Sequence, residues 1–376
     1  MKKILVILLA LAIVPAAFAA GRAKSHKTKK KMAKTCQVVP AKRLINRLNK
    51  VTAAGLIIFG HDDDPVYGHG WCGDKDRSDV KSVCGDYPGI MNWDLGMIEK
   101  CADKELDGVP FDRIRSEVVV QDARGGINTF SWHPRNPVTG GDAWDVKNDS
   151  TVHLCITDEA MNDTLRTWIG RAADFIGSLR DAKGNRIPVV FRPWHEMNGS
   201  WFWWGAKHCS IQDYVALWQI TREVFDKKGI NNVVWAYSPN IVANKTEYLA
   251  TYPGDKYVDL LGADCYQFND EKGTNDYIKN LTSSLDAATA VAKEHGKLVA
   301  LTETGCQTLK VADWWMGVLY PVMVKYPICY VTVWRNAHDK NEHFFAPYPG
   351  QASAPSFVKF YNDKKTVFAR EMKTIK

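Results

Sequence analysis

The chain has 376 residues, 45% hydrophobic and 24% charged, with a formal net charge of +7. Nine of its 49 basic residues fall in the first 35, which hold no acid, so the remainder carries 40 basic against 42 acidic residues. The excess charge belongs to the tail, and the near-neutral remainder argues against nucleic acid or another polyanion as the partner.

In chain order, Lys2 and Lys3, an apolar run from Ile4 to Val14 and the small-residue spacing Ala17-Phe18-Ala19 make residues 1–20 a cleavable signal peptide. Residues 21–35, GRAKSHKTKKKMAKT, read as a basic disordered linker. A secreted or periplasmic protein is expected, with residues 36–376 as one domain. No membrane span is expected, because no other stretch reaches 18 uncharged apolar residues. In an oxidising compartment nine cysteines leave at least one thiol free. Cys72 and Cys84 are candidates for a local loop staple, whereas Cys265, Cys306 and Cys329 sit in or beside apolar runs that suit buried free thiols.

Eight short apolar runs follow: LIIFGH (56–61), GIMNWD (89–94), GINTFSWH (126–133), IPVVFRPWHE (187–196), VVWAYSPN (233–240), VDLLGADCY (258–266), LVALTET (298–304) and ICYVTVWRN (328–336). Helix-like segments at 160–179 and 213–229, with apolar residues at spacings of three and four, lie between them. Near-continuous apolar strands alternating with amphipathic helices predict a parallel sheet. Eight repeats in this length predict an α/β fold, a closed (β/α)8 TIM barrel in a single domain.

Polar residues gather where the runs end: His61, Asp94, His133, His195-Glu196, Asn240, Tyr266, Glu303 and Trp334-Arg335. In this fold the C-terminal strand ends form the active-site face, so these residues should converge. Glu196 and Glu303 end the fourth and seventh runs, nearly opposite each other across the mouth. Two carboxyl groups flanking one bond suit glycoside hydrolysis, in which one protonates the leaving oxygen and the other supports or attacks the anomeric carbon. The stretch FRPWHEMNGSWFWWG (191–205) supplies aromatic surface for the apolar faces of sugar rings, and its indoles are expected to raise the pKa of Glu196.

Other motifs point elsewhere without support. GHGWCG (68–73) matches a dinucleotide fingerprint but opens no apolar helix, His195-Glu196 lacks the second histidine of a zinc protease, and neither G-x-S-x-G nor a P-loop occurs. Asp62-Asp63-Asp64 is read as a polar loop lining the cleft rather than a cation site, so no metal and no cofactor are expected.

The motifs FRPWHEMNGSWFWWG and LTETG, with GDYPGIMNWDLG (85–96), GGINTFSWHPRNPVTGG (125–141), the tyrosine of CYQ (265–267) and VTVWRNA (331–337), resemble the glycoside hydrolase family 26 β-mannanases. The resemblance runs from about Ala54 to Pro347. It implies a retaining hydrolase of β-1,4-mannan, with Glu196 as acid/base and Glu303 as nucleophile. In such a pair the carboxyls stand about 5 to 5.5 Å apart. It further implies that His195 orients Glu196 and contacts the nucleophile region, and that Tyr266 donates a hydrogen bond to Glu303. Trp334 would be the platform at the cleavage site, with His133 and Arg335 as polar contacts there and at the next sugar. Trp201 would lie on the leaving-group side, and Trp144, in a variable loop, would add a further contact. The partner is then β-mannan or manno-oligosaccharide. Endo cleavage is the leading expectation. The long loops after the first and second strands also fit a mannobiose-releasing exo-enzyme, and the third alternative is a non-catalytic glycan-binding protein.

Overall fold

The structure is a computed structural model that describes residues 39–375. The expected signal peptide, basic linker and Cys36 lie outside the described residues. Eight parallel strands, β1 (Ile57–Asp62), β2 (Ile90–Asp94), β3 (Ile127–Ser131), β4 (Val189–Arg192), β5 (Val233–Tyr237), β6 (Leu260–Gln267), β7 (Leu298–Cys306) and β8 (Ile328–Val333), pair in sequence order. β8 closes back on β1, with Ile58 opposite Tyr330 and His61 opposite Val333. The expected barrel is therefore present, and each predicted apolar run overlaps one of its strands, with β1, β6 and β7 extending one or two residues past theirs.

Burial on both faces explains the nearly continuous apolar runs. Ile58, Ile90, Ile127, Val190, Val234, Leu260, Leu298 and Tyr330 form one apolar cluster, which Leu44, Leu48 and Val51 of helix α1 (Pro40–Ala53) join. Those three recur at helical spacing, so α1 seals that end of the barrel with one face. A short strand, Thr366–Val367, pairs with Ile57 and Ile58, beside the part of β1 that β2 leaves free by starting its register at Gly60.

The outward strand residues, among them Phe59, Trp93, Phe130, Phe191 and Trp235, pack in a second cluster with the surrounding helices. These include α2 (Phe111–Arg124), α3 (Glu159–Ser178), α4 (Ile211–Lys227) and α5 (Thr274–His295). The helices predicted at 160–179 and 213–229 are α3 and α4, each starting one or two residues early at a capping side chain. Asp158 accepts from Met161 N and Ser210 from Asp213 N, satisfying amides that a helix start leaves unpaired.

Following each strand upward in steps of two from the apolar cluster changes its chemistry. Ile58 leads to Asp62, Ile90 to Asn92 and Asp94, Val190 to Arg192, Val234 to Ser238, and Leu260 to Asp264. The interior is apolar at the bottom and polar at the top, so alternation lays down the polar floor beneath the glutamates. Gly262 lies in this layer, where a Cβ would run into Thr302 Oγ1. The β6–β7 register slips between Ala263 and Asp264, a bulge that sets Glu303 directly beside Asp264.

The proposed Cys72–Cys84 staple is absent. Cys72 faces solvent in a two-residue strand, Trp71–Cys72, whereas Cys84 ends a short helix with its thiol against the Asp86 carbonyl. All eight cysteines among the described residues are free, and Cys265, Cys306 and Cys329 are buried as expected. Among the described residues no helix is long and apolar enough to cross a membrane.

Candidate active site

β4 ends at Arg192, four residues before Glu196, and a turn carries the chain to the carboxylate. Trp194 and Glu196 in that turn both adopt left-handed backbone, with φ of 55° and 53°. Such a conformation costs a non-glycine residue about 1–3 kcal/mol and persists only where its surroundings fix it. Here Glu196 N donates to Ser238 O at the top of β5 (2.8 Å), and Tyr214 OH donates to Trp194 O (2.7 Å).

The aromatic stretch divides between two jobs. Trp194, Trp203 and Trp204 are fully buried and pack on one another at centroid distances of 5.2–5.6 Å. They are core supporting the turn, contrary to the expectation that the indoles form the cleft surface. From this stretch His195, Glu196, Trp201 and Phe202 reach the cleft.

The two glutamates sit in unlike surroundings. Glu196 Oε1 accepts from Asn240 Nδ2 and Oε2 from Trp201 Nε1, both at 2.8 Å. Its pKa is pushed up to about 7, first by burial and then by the charge of Glu303, against the opposing pull of Asn240, Arg192 and Trp201. The direction matches expectation, although the nearest indole N–H works the other way because it favours the charged form.

Glu303 accepts from Tyr266 OH at one oxygen and pairs with the Arg192 guanidinium at the other. Arg192 also binds Asp264 Oδ2 at 2.5 Å, and Asp264 Oδ1 in turn accepts from Ser238 and Thr302 hydroxyls, each at 2.7 Å. Burial disfavours charge on Arg192, but Asp264 and Glu303 outweigh it and hold its pKa above the ordinary arginine value.

His133 Nδ1 lies 2.6 Å from Asp94 Oδ2, and its Nε2 lies 3.1 Å from His195 Nε2. Burial works against charge on His133, yet the Asp94 carboxylate raises its pKa overall. His195 is pushed well below its ordinary value by burial, Arg192 and His133. Among the described residues the only side-chain hydrogen bond of His195 goes to His133, so Glu196 is oriented by Asn240 and Trp201 rather than by His195 as expected.

A cleft of about 440 Å³ runs over these groups. His133, Trp144, His195, Glu196, Trp201, Tyr266, Glu303 and Trp334 all line it. Arg335 does not; it turns to an ion pair with Asp107 at 2.7 Å, on the loop between β2 and α2. Trp144 is exposed and stacks on His133, 5.3 Å between centroids and 12° between planes. His133 and Trp144 also border an adjoining depression of about 630 Å³.

Sequence reasoning missed Arg192, Asp264 and Phe268. An arginine inside an apolar run was the available signal for the first two, since a buried guanidinium needs a carboxylate partner. Asp62, Asp63 and Asp64 do not line the cleft. They are almost wholly buried, with Asp63 accepting from Tyr67 OH at 2.7 Å and Asp64 lying 2.9 Å from His61 Nδ1. β1 extends through Asp62, which carries the run inside the barrel wall. Among the described residues no three His, Cys, Asp or Glu side chains converge to hold a metal ion.

A closed (β/α)8 barrel with two glutamates of opposed surroundings in an aromatic cleft is the architecture of a glycoside hydrolase. Residues 35–317 match glycosyl hydrolase family 26. A mannan endo-1,4-β-mannosidase of Bifidobacterium adolescentis is 35% identical over 61% of this chain, a match spanning 24% of that protein. One from Bacillus subtilis is 28% identical over 77% of this chain and 75% of its own length. Among solved structures, a family 26 β-mannanase from Bacteroides ovatus superposes with a TM-score of 0.85 at 48% identity, covering 88% of this chain and 95% of that one. An endo-β-1,4-mannanase of Cellulomonas fimi gives 0.80 at 32%, covering 89% and 76%. The chain belongs to glycosyl hydrolase family 26.

Proposed function

We propose that the protein hydrolyses β-1,4-mannosidic bonds within mannan, glucomannan or galactomannan by a retaining double displacement, with Glu196 as acid/base and Glu303 as nucleophile. The observation that carries this reading is the division between the two glutamates. Glu196, titrating near pH 7, is poised to carry a proton, while Glu303 has the partners of an anion in Arg192 and Tyr266. In the first step Glu303 attacks the anomeric carbon as the glycosidic C–O bond breaks, and the Glu196 proton goes to the departing oxygen. Both Glu303 oxygens are already bonded, which fixes the carboxylate plane and leaves each oxygen a lone pair for attack. Esterification removes the charge that helps to raise the Glu196 pKa. Glu196 thereby becomes the better base for the second step, taking a proton from the water that displaces Glu303. Trp334 and His133 would hold the sugar at the cut, and Trp201 the leaving group.

Similarity to mannan endo-1,4-β-mannosidases supports mannan as the substrate and endo cleavage as the mode. Release of mannobiose is the second reading. It is favoured by the Asp107–Arg335 ion pair, which ties the loop between β2 and α2 to the end of β8 and would wall the cleft on the non-reducing side. A secreted or periplasmic site of action fits a substrate of polymer size. Chromatography of early products from mannan and mannohexaose tests both. Mixed lengths with a fast viscosity drop support endo cleavage, mannobiose from the start supports the wall, and no product from mannan overturns the proposal.

A further inference from the structure

Three large aromatic side chains among the described residues are exposed, Trp144, Trp201 and Phe268, and all three line the cleft. Phe268 is the most exposed, at 64%. An exposed ring gains little from packing, so its place in the structure needs another account.

The segment that presents it is well braced. Asn269 and Asp270 both have left-handed backbone, with φ of 62° and 51°. The Gln267 side chain, 2% exposed, donates to Asp270 O at 2.7 Å and to Thr274 Oγ1 at 2.9 Å, and accepts from Trp314 Nε1 at 2.8 Å. Gly273 closes the turn so tightly that a Cβ there would coincide with the Phe268 carbonyl oxygen. A turn fixed by a buried amide holds the exposed ring in one place, as a preorganised contact requires.

Topology says which contact. The loops after β4, β5 and β6 are neighbours around the mouth and bring Trp201, Ile241 and Phe268 to one side of the cleft, with Glu196 and Asn240. Trp334 follows β8, across the barrel. We infer that Phe268 is a stacking platform for a second sugar on the leaving-group side, one unit beyond the sugar at Trp201, so that chain length on the reducing side governs turnover. This rests on the proposed assignment of Glu196 as the acid that protonates the leaving group.

The test compares wild type, Phe268→Ala and Phe268→Tyr on mannohexaose and on an aryl mannobioside, whose leaving group is too short to reach Phe268. Cleavage positions are read by mass spectrometry in ¹⁸O-labelled water. Phe268→Ala is expected to lower the ratio of kcat/KM for mannohexaose to that for the aryl mannobioside about tenfold. It should also move cleavage towards products with one sugar on the reducing side, with Phe268→Tyr restoring both readouts. An unchanged ratio in Phe268→Ala, or an equal loss on the two substrates, overturns the platform while leaving the proposed reaction intact. A wild type inactive on mannohexaose overturns the reaction itself, and the platform with it.

Discussion

Replacing Glu196 with glutamine leaves the volume of the turn unchanged and removes one proton donor. Trp201 Nε1 can still donate to the amide oxygen, and Asn240 can turn its own amide over to meet the new NH2. The lost acid should cost about 10²- to 10⁴-fold in kcat/KM on mannohexaose. On a dinitrophenyl mannobioside, whose leaving group departs without a proton, kcat/KM should change little, since that ratio reports the first irreversible step. The wild-type rate on mannohexaose should fall as pH rises through about 7, where the buried carboxyl loses its proton. The Glu196→Gln variant should lack that limb. Stability moves the other way. The folded-state pKa of about 7 stands above the ordinary 4.5, so ionisation penalises the fold fully above pH 7 and not at all below pH 4.5. The variant should therefore be more stable than wild type by about 3 kcal/mol at pH 8, with the gain shrinking towards acid. Steady-state kinetics on both substrates and thermal unfolding at two pH values read all of this. Equal losses on the two substrates, or a persisting alkaline limb, would refute Glu196 as the acid.

Arg192→Met should strand Asp264 and Glu303 as unpaired buried carboxylates and destabilise the fold by about 3–5 kcal/mol, measurable by chemical denaturation. Burial, as the leading cause, pushes Asp63 up to about 8 and Glu105 up to about 9. Both are protonated in the folded chain and ionised in the unfolded one across the intervening range, so protons are lost on unfolding and the melting temperature should fall as pH rises from about 4 to about 9. Asp63→Asn should flatten the part of that slope below about pH 8. Gly262→Ala should force Thr302 out of the hydroxyl network on Asp264 and cost about 1–3 kcal/mol, again by denaturation. Cys72→Ser should leave the melting temperature unchanged, because Cys72 makes no disulfide; a fall of several degrees would restore the staple.

The barrel was legible because parallel strands buried on two faces leave an apolar signature that repeats eight times, and helix starts were legible to within two residues at side-chain caps. His133 and Tyr266 were legible because alternation carries them to the mouth, and the two glutamates because each follows an apolar run, although a left-handed turn places Glu196 and a register slip places Glu303. Arg192 and Asp264 were legible only in part: an arginine inside an apolar run signals that a carboxylate must pair with it, but which one lies across 72 residues that a single sequence does not connect. The aromatic stretch was over-read as cleft surface. Which indoles point inward depends on the left-handed turn at Trp194 and Glu196, and those residue types give no local sign of such a turn. Asp62 to Asp64 were misplaced for a related reason: polar composition suggests a loop, whereas the strand continues through the first of them and buries all three.

The division of labour between the two glutamates is tested most directly by trapping. Incubation with a 2-deoxy-2-fluoro-mannobiosyl fluoride slows both steps but keeps a good leaving group, so a retaining enzyme accumulates its glycosyl ester. Peptide mass spectrometry should then find one fluoroglycosyl group per chain, carried by the peptide containing Glu303. A label on Glu196, or no adduct while unmodified substrate yields product of inverted configuration, would contradict the account.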